Sequence, residues 1–167
     1  MLQEVDLARA YRTIPSGLFL ISTSRDGKAN VQFAFRGLGL WETPPLVLVG
    51  IQQSNYSHET IERTREFVVN VCGEGQLRAI GPSRTLSGRD AADKLAALGL
   101  ETRPARHVAA PLVVGCHANL ECRVRSSLPT DGVTLYVADV LACHVDESVP
   151  PVARFVGKTF RLDGPIE

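Results

Sequence analysis

A chain of 167 residues, 44% hydrophobic and 22% charged, is long enough for one domain with a real buried core. Its 18 basic and 18 acidic side chains cancel to a formal net charge of zero, which argues against a nucleic-acid binder and leaves any bound anion to a local site. Nothing approaches the roughly eighteen apolar residues of a membrane span, and "MLQEVDLARAYR" lacks a signal-peptide apolar segment, so a cytoplasmic protein with no membrane contact is expected.

"VDLARAYRTIP" reads as a short helix stopped before Pro15. "GLFLISTS" and "ANVQFAF" are β-rich runs around "RDGK", whose Asp-Gly pair favours a hairpin. "TPP" at 43–45 ends the next segment, and "LVLVGIQ" suits a strand buried on both faces. "SNYSHETIERTREF" turns helical, with Ser57 as N-cap and Glu59 and Glu62 near the positive end. "FVVNVC" returns as a strand, and "EGQLRAIG" is a short helix ending at Gly81, before Pro82. In "NLECRVRS", Leu120, Cys122 and Val124 alternate with charged neighbours, the period of a half-exposed strand. "TDG" then turns the chain into "VTLYVADVLACHV", and Pro150-Pro151 sets off a last segment, "VARFVGKTFRLDG". Many short strands and few helices make a single mainly β domain with short helices, a barrel or sandwich, across 1–167.

Two stretches carry chemistry. In "TLSGRDAADKLAALGL", Ser87 or Asp90 can cap a helix starting near Ala91, Gly88 permits a sharp turn, and Asp90 with Lys94 has the spacing of a helical ion pair. That explains the pattern without a ligand. Alternatively, Arg89, Lys94 and the free amides form a floor for a phosphate or an electron-rich ring. In "QSNYSHE", amides and hydroxyls of Ser54, Asn55, Tyr56 and Ser57 converge on an anion, or serve only as a polar turn. The four cysteines have no CxxC spacing and are expected reduced and buried. Cys116-His117 and Cys143-His144 look like paired metal ligands, but neighbours on a strand point to opposite faces, so no metal is expected. His58 and His107 are expected to face solvent. No nucleophile elbow and no Gly-x-Gly-x-x-Gly is present, so neither a catalytic triad nor a Rossmann site is expected.

In order, the hairpin with Asn30, the Pro-Pro before a buried strand, "SNYSHETIERTREFVVNV", "SGRDAADKLAALGLETRPARHVAAPL" and "ANLECRV" resemble the flavin reductase-like, FMN-binding split-barrel family, on its flavoredoxin and ferric-reductase side. The resemblance spans roughly residues 12–146. It implies a six-stranded split β-barrel that forms a homodimer and holds FMN in a groove near the dimer interface. It places Asn30 on the flavin-binding strand, and Ser54, Asn55, Tyr56 and Ser57 at the phosphate or ribityl chain. Ser87, Gly88, Arg89, Asp90 and Lys94 flank the flavin, with Lys94 toward the ring and Phe160 over it. "FAFRGLGLWETPP" departs from the family. Phe35 stands in place of a hydroxyl, and Arg36, in place of tryptophan, supplies a phosphate fork or stacks on the ring. Gly37 and Gly39 thin this strand for a ligand or partner. The implied activity is hydride transfer from NADH or NADPH to the flavin and onward to free flavin, a ferric chelate or a redox protein, with no side chain acting as acid or base. A non-enzymatic FMN-binding electron carrier and a diverged barrel that has lost FMN for another ligand are the alternatives.

Overall fold

The computed structural model describes residues 13–155 and 158–162, and the helix expected over 5–15 falls almost wholly outside them. Strands β1 (Ser16–Gly17), β2 (Phe19–Arg25), β3 (Lys28–Ala34), β4 (Gly37–Glu42) and β5 (Pro45–Gln52) lead into helix α1 (Tyr56–Thr64) and β6 (Glu66–Val71). A 3-10 segment (Glu74–Ala79), α2 (Ile80–Thr85) and α3 (Lys94–Ala97) follow. The chain continues through β7 (Thr102–Arg103), β8 (Leu112–Val113), β9 (Ala118–Pro129), β10 (Val133–Val145), β11 (Val152–Phe155) and β12 (Lys158–Arg161).

Seven strands make one antiparallel sheet in the order β3-β2-β6-β9-β10-β5-β4. β3 and β4 are its opposite edges, yet only Phe35 and Arg36 separate them in sequence. The three Cα steps from Ala34 to Gly37 span at most about 11 Å, so the sheet must curl until its edges nearly meet. That is a barrel split along one seam, with Phe35 and Arg36 at the seam. β4 is one strand beyond the six expected.

The Asp26-Gly27 turn is as expected: both residues have positive φ (53° and 77°), the two-residue loop whose twist matches a hairpin. It sets Arg25 opposite Lys28. β2 is buried on both faces. Ile21 joins the barrel interior with Val49, Ile51, Phe67, Val69, Cys122 and Tyr136, closed by Ile61 of α1. Its neighbour Leu20 joins an outer layer with Val31, Cys72, Val113 and, from α3, Leu95. β5 is not buried on both faces as expected: Val47, Val49 and Ile51 point inward, while Leu46 and Leu48 are only half-buried.

Other local expectations change. The cap of α1 is Asn55, not Ser57, which lies inside the first turn and is buried. The helix expected to stop at Gly81 runs on: the 3-10 segment passes directly into α2, with Pro82 in its first turn, where a missing N–H costs nothing. Asp90 and Lys94 share no helix, because α3 begins at Lys94 with Asp93 as cap, its carboxylate accepting from the Ala96 amide at 3.0 Å. No Asp90–Lys94 ion pair forms among the described residues. Gly37 makes room for the Phe19 ring, not for a ligand: a Cβ there would lie 3.0 Å from Phe19 Cε2. Cys143 is exposed, not buried.

On the outer edge, β4 presents Leu38, Leu40 and Trp41 to solvent, and Trp41 is 66% exposed with its Nε1 donating to the Thr43 carbonyl. No helix among the described residues is long and apolar enough to cross a membrane.

Candidate functional site

A groove of about 1410 Å³ runs along the barrel seam. That exceeds the roughly 300–1,000 Å³ of a pocket for one small molecule. Its floor is Asn30, Gln32 and Phe33 of β3, continued by Phe35 and Arg36. One wall is the turn entering α1, with Ser54, Asn55, Tyr56 and Ser57. The other is the end of α2 and its following loop, with Arg84, Ser87, Gly88 and Arg89, and Lys94 beyond. The fold thus gathers at one groove the two polar stretches singled out in the sequence. Asp90 and Phe160 are not among its lining residues; Phe160 stands exposed on β12.

Charge in the groove is one-sided. Arg36, Arg84, Arg89 and Lys94 line it, and no carboxylate does among the described residues. Sequence inspection missed Arg84, because helix α2 was not expected to extend past Pro82. Lys94 is only 5% exposed and its side chain makes no hydrogen bond or ion pair among the described residues. Burial holds its ammonium below the ordinary lysine range. Asn30 is 2% exposed; its Nδ2 donates to Ser57 Oγ at 2.8 Å, and its Oδ1 has no partner. A buried, unsatisfied acceptor costs about 1–3 kcal/mol. An unpaired acceptor and an unpaired ammonium in the lining of one groove fit a ligand with an N–H donor and negative charge.

Two glycines shape the groove. A Cβ on Gly88 would fall 2.1 Å from Asn30 Oδ1 and 2.7 Å from Tyr56 Cδ1, so only glycine lets this loop close on the floor. A Cβ on Gly50 would meet the stem of Arg36 at 3.1 Å, so a bare backbone there lets the arginine lie flat on β5. Around Tyr56, Arg25, Lys28 and Arg89 place their cationic centres 5.3, 5.7 and 5.9 Å from the ring centroid. Glu59 answers two of them, Arg25 Nη1 at 2.8 Å and Arg89 Nη2 at 3.4 Å. Arg25 and then burial act oppositely on the Glu59 carboxyl, and the arginine prevails, holding it below the ordinary range.

The remaining chemistry-bearing side chains lie elsewhere. His58 is half-buried, its Nε2 2.9 Å from Thr134 Oγ1, while His107 is exposed as expected. Cys116 sits with Cys72, whose thiol it and burial push above the ordinary range. His117 Nδ1 meets the Val149 carbonyl at 2.7 Å. Glu121, which drew no attention in the sequence, is fully buried and accepts from the amides of Arg106 and His107 and pairs with His144 Nε2 at 2.9 Å. Burial alone would raise its carboxyl, but these partners together hold it below the ordinary range.

The model of the flavin reductase like domain matches residues 11–161. The chain belongs to the flavin reductase-like family. This flavin reductase-like chain is 36% identical over 114 residues to an uncharacterized protein of Archaeoglobus fulgidus, a match covering 68% of the chain and 64% of that relative, just under two thirds of its length. It is 28% identical over 153 residues to the reductase component of a 4-nitrophenol 4-monooxygenase/4-nitrocatechol 2-monooxygenase of Rhodococcus opacus, covering 90% of the chain and 78% of that protein. Its fold superposes on the NADH:FAD oxidoreductase of Streptomyces globisporus with a TM-score of 0.87 at 19% identity, covering 98% and 99% of the two chains. The split barrel is therefore the fold of this chain.

Proposed function

We propose that the chain is an FMN-binding flavoprotein that oxidises NADH or NADPH and delivers the electrons to a small-molecule acceptor, free flavin or a ferric chelate, or to a redox protein. The observation that carries this reading is the groove of a chain with no net charge, lined by four cations and no acid among the described residues, with an orphaned amide oxygen in its floor. FMN fits that donor set: a dianionic phosphate, an imide N–H, and a ring that gains negative charge on reduction. When bound, the flavin supplies the two-electron chemistry. Asn30 Oδ1 accepts from the ring edge, and Lys94 stabilises charge on the ring without any proton transfer of its own. The amides and hydroxyls of Ser54, Asn55 and Tyr56, with Arg36, hold the ribityl chain and phosphate. The Rhodococcus opacus relative is named a reductase component, which supports a reductase over a binding protein.

The exposed Leu38, Leu40 and Trp41, on an edge with no strand paired beyond it among the described residues, support a homodimer through β4, since such edges need covering. The proposed location is the cytoplasm. The deciding experiment is the visible spectrum of purified protein before and after FMN addition and desalting, then anaerobic addition of NADH or NADPH. Retained bands that bleach establish a reductase. Bands that persist identify an electron carrier, and a colourless protein overturns the flavin reading.

A further inference from the structure

We propose that Arg25, Lys28 and Arg89, gathered around Tyr56, form a second phosphate site at the groove rim, which selects a donor nucleotide carrying a 2′-phosphate, NADPH over NADH. The inference rests on the flavin reading above and adds a specificity device to it.

Charge count is the first argument. Apart from Arg89, the groove wall already contributes Arg36, Arg84 and Lys94, more than the about two negative charges of one phosphate monoester. Arg25 and Lys28 are additional. Among the described residues, the rim cluster's carboxylate contacts come from Glu59, shared by Arg25 and Arg89, and from Asp26, 3.7 Å from Arg25 Nε and almost fully exposed. Lys28 has no carboxylate partner at all among the described residues. Its Nζ reaches only the Arg89 carbonyl at 3.5 Å.

Placement is the second argument. The Asp26-Gly27 turn holds Arg25 and Lys28 opposite one another at the end of β2 and β3. Arg89 comes from the far wall of the groove and is anchored there, its Nη1 donating to the Ser54 carbonyl at 3.1 Å. Tyr56 and Arg89 line the groove, so the cluster is continuous with it. Two separate segments therefore bring three cations to the rim, where Glu59 engages two of them and Lys28 is left without an acid partner among the described residues. A phosphate monoester dianion is the ligand chemistry that matches, and a groove larger than one flavin needs leaves room for the nucleotide that bears it.

The test uses Lys28→Ala, which removes the cation with the weakest internal bonding, and Lys28→Arg as rescue. Calorimetric titration with adenosine 2′,5′-bisphosphate and with 5′-AMP reads the site without turnover, and FMN titration runs alongside. Wild type should bind the bisphosphate more tightly than 5′-AMP. Lys28→Ala should weaken the bisphosphate about tenfold, the worth of one charge-assisted hydrogen bond, and leave 5′-AMP and FMN within about twofold, while Lys28→Arg restores binding. Steady-state KM for NADPH should rise with that for NADH unchanged. Equal wild-type affinity for the two adenosine probes overturns the proposal. So does a loss of FMN affinity in Lys28→Ala, which would assign the cluster to the flavin's own phosphate. Wild-type protein that binds no flavin overturns the functional reading instead, and the rim site falls with it.

Discussion

Lys94→Met separates a ligand-binding lysine from a structural one, because it should move stability and affinity in opposite directions. The residue is 5% exposed, and its ammonium makes no hydrogen bond or ion pair among the described residues and is shifted low by burial. Without ligand it is a liability. Methionine has similar length and no charge to desolvate, so the unliganded variant should be more stable by about 1–2 kcal/mol. For a chain of this length that raises Tm by roughly 2–8 °C. FMN should bind the variant some 10–150-fold more weakly, the cost of one charge-assisted hydrogen bond of about 1.5–3 kcal/mol. The pH dependence follows from the same shift. The folded apo protein titrates Lys94 below the value in the unfolded chain, so between the two values the unfolded state binds more protons and stability rises with pH. The penalty is gone above the ordinary lysine range, and Lys94→Met should lack that rise. Thermal melts of the apo protein across pH and flavin titrations at neutral pH are the assays. A variant that is less stable and binds FMN with unchanged affinity would refute the reasoning.

Gly88→Ala places a Cβ against buried Asn30, so the 87–90 loop must withdraw; flavin affinity should fall at least tenfold, with a cost of about 1–3 kcal/mol visible in chemical denaturation. Glu121→Gln replaces a two-oxygen acceptor with one oxygen and a misplaced amide facing the Arg106 and His107 N–H groups, and should lower stability by about 1–3 kcal/mol in urea melts. Because the Glu121 carboxyl is held low in the fold, its contribution is present above the ordinary carboxylate range and is lost as pH falls through its folded value; the variant's acid-unfolding curve should be flatter there. Leu38→Lys puts a charge on the β4 edge and should shift sedimentation from dimer to monomer at micromolar concentration while leaving FMN binding to each protomer detectable.

What could be read from residue order was whatever is local. The Asp26-Gly27 hairpin, the full length of β10 and the inward set Leu120, Cys122 and Val124 follow from turn chemistry and period-two alternation. Non-local facts were not legible. Asp90 and Lys94 have the spacing of a helical pair, but Asp93 captures the cap and starts the helix later, so the lysine enters the groove alone. Ser57 is a good cap by type, yet Asn30, 27 residues away, engages it from β3. Lys28 and Arg89, 61 residues apart, meet only in the folded chain, and Glu121 on a strand of alternating polarity gives no hint that a loop folds its amides over the carboxylate. Most of the residues singled out in the sequence do line the groove, found through family resemblance more than pattern, since a polar turn looks the same with or without a ligand, but they make up only about half of its lining.

The only tryptophan of the chain, Trp41, stands on the exposed β4 edge, away from the groove-lining residues. Nature has thus put a solitary fluorophore on the surface where a second protomer would sit. Excited at wavelengths that spare tyrosine, its emission maximum reports whether water or protein covers that edge, a blue shift on concentration marking association. Subunit exchange and cofactor loading can then be followed in one cuvette without attaching a dye, the first by indole colour and the second by flavin absorbance.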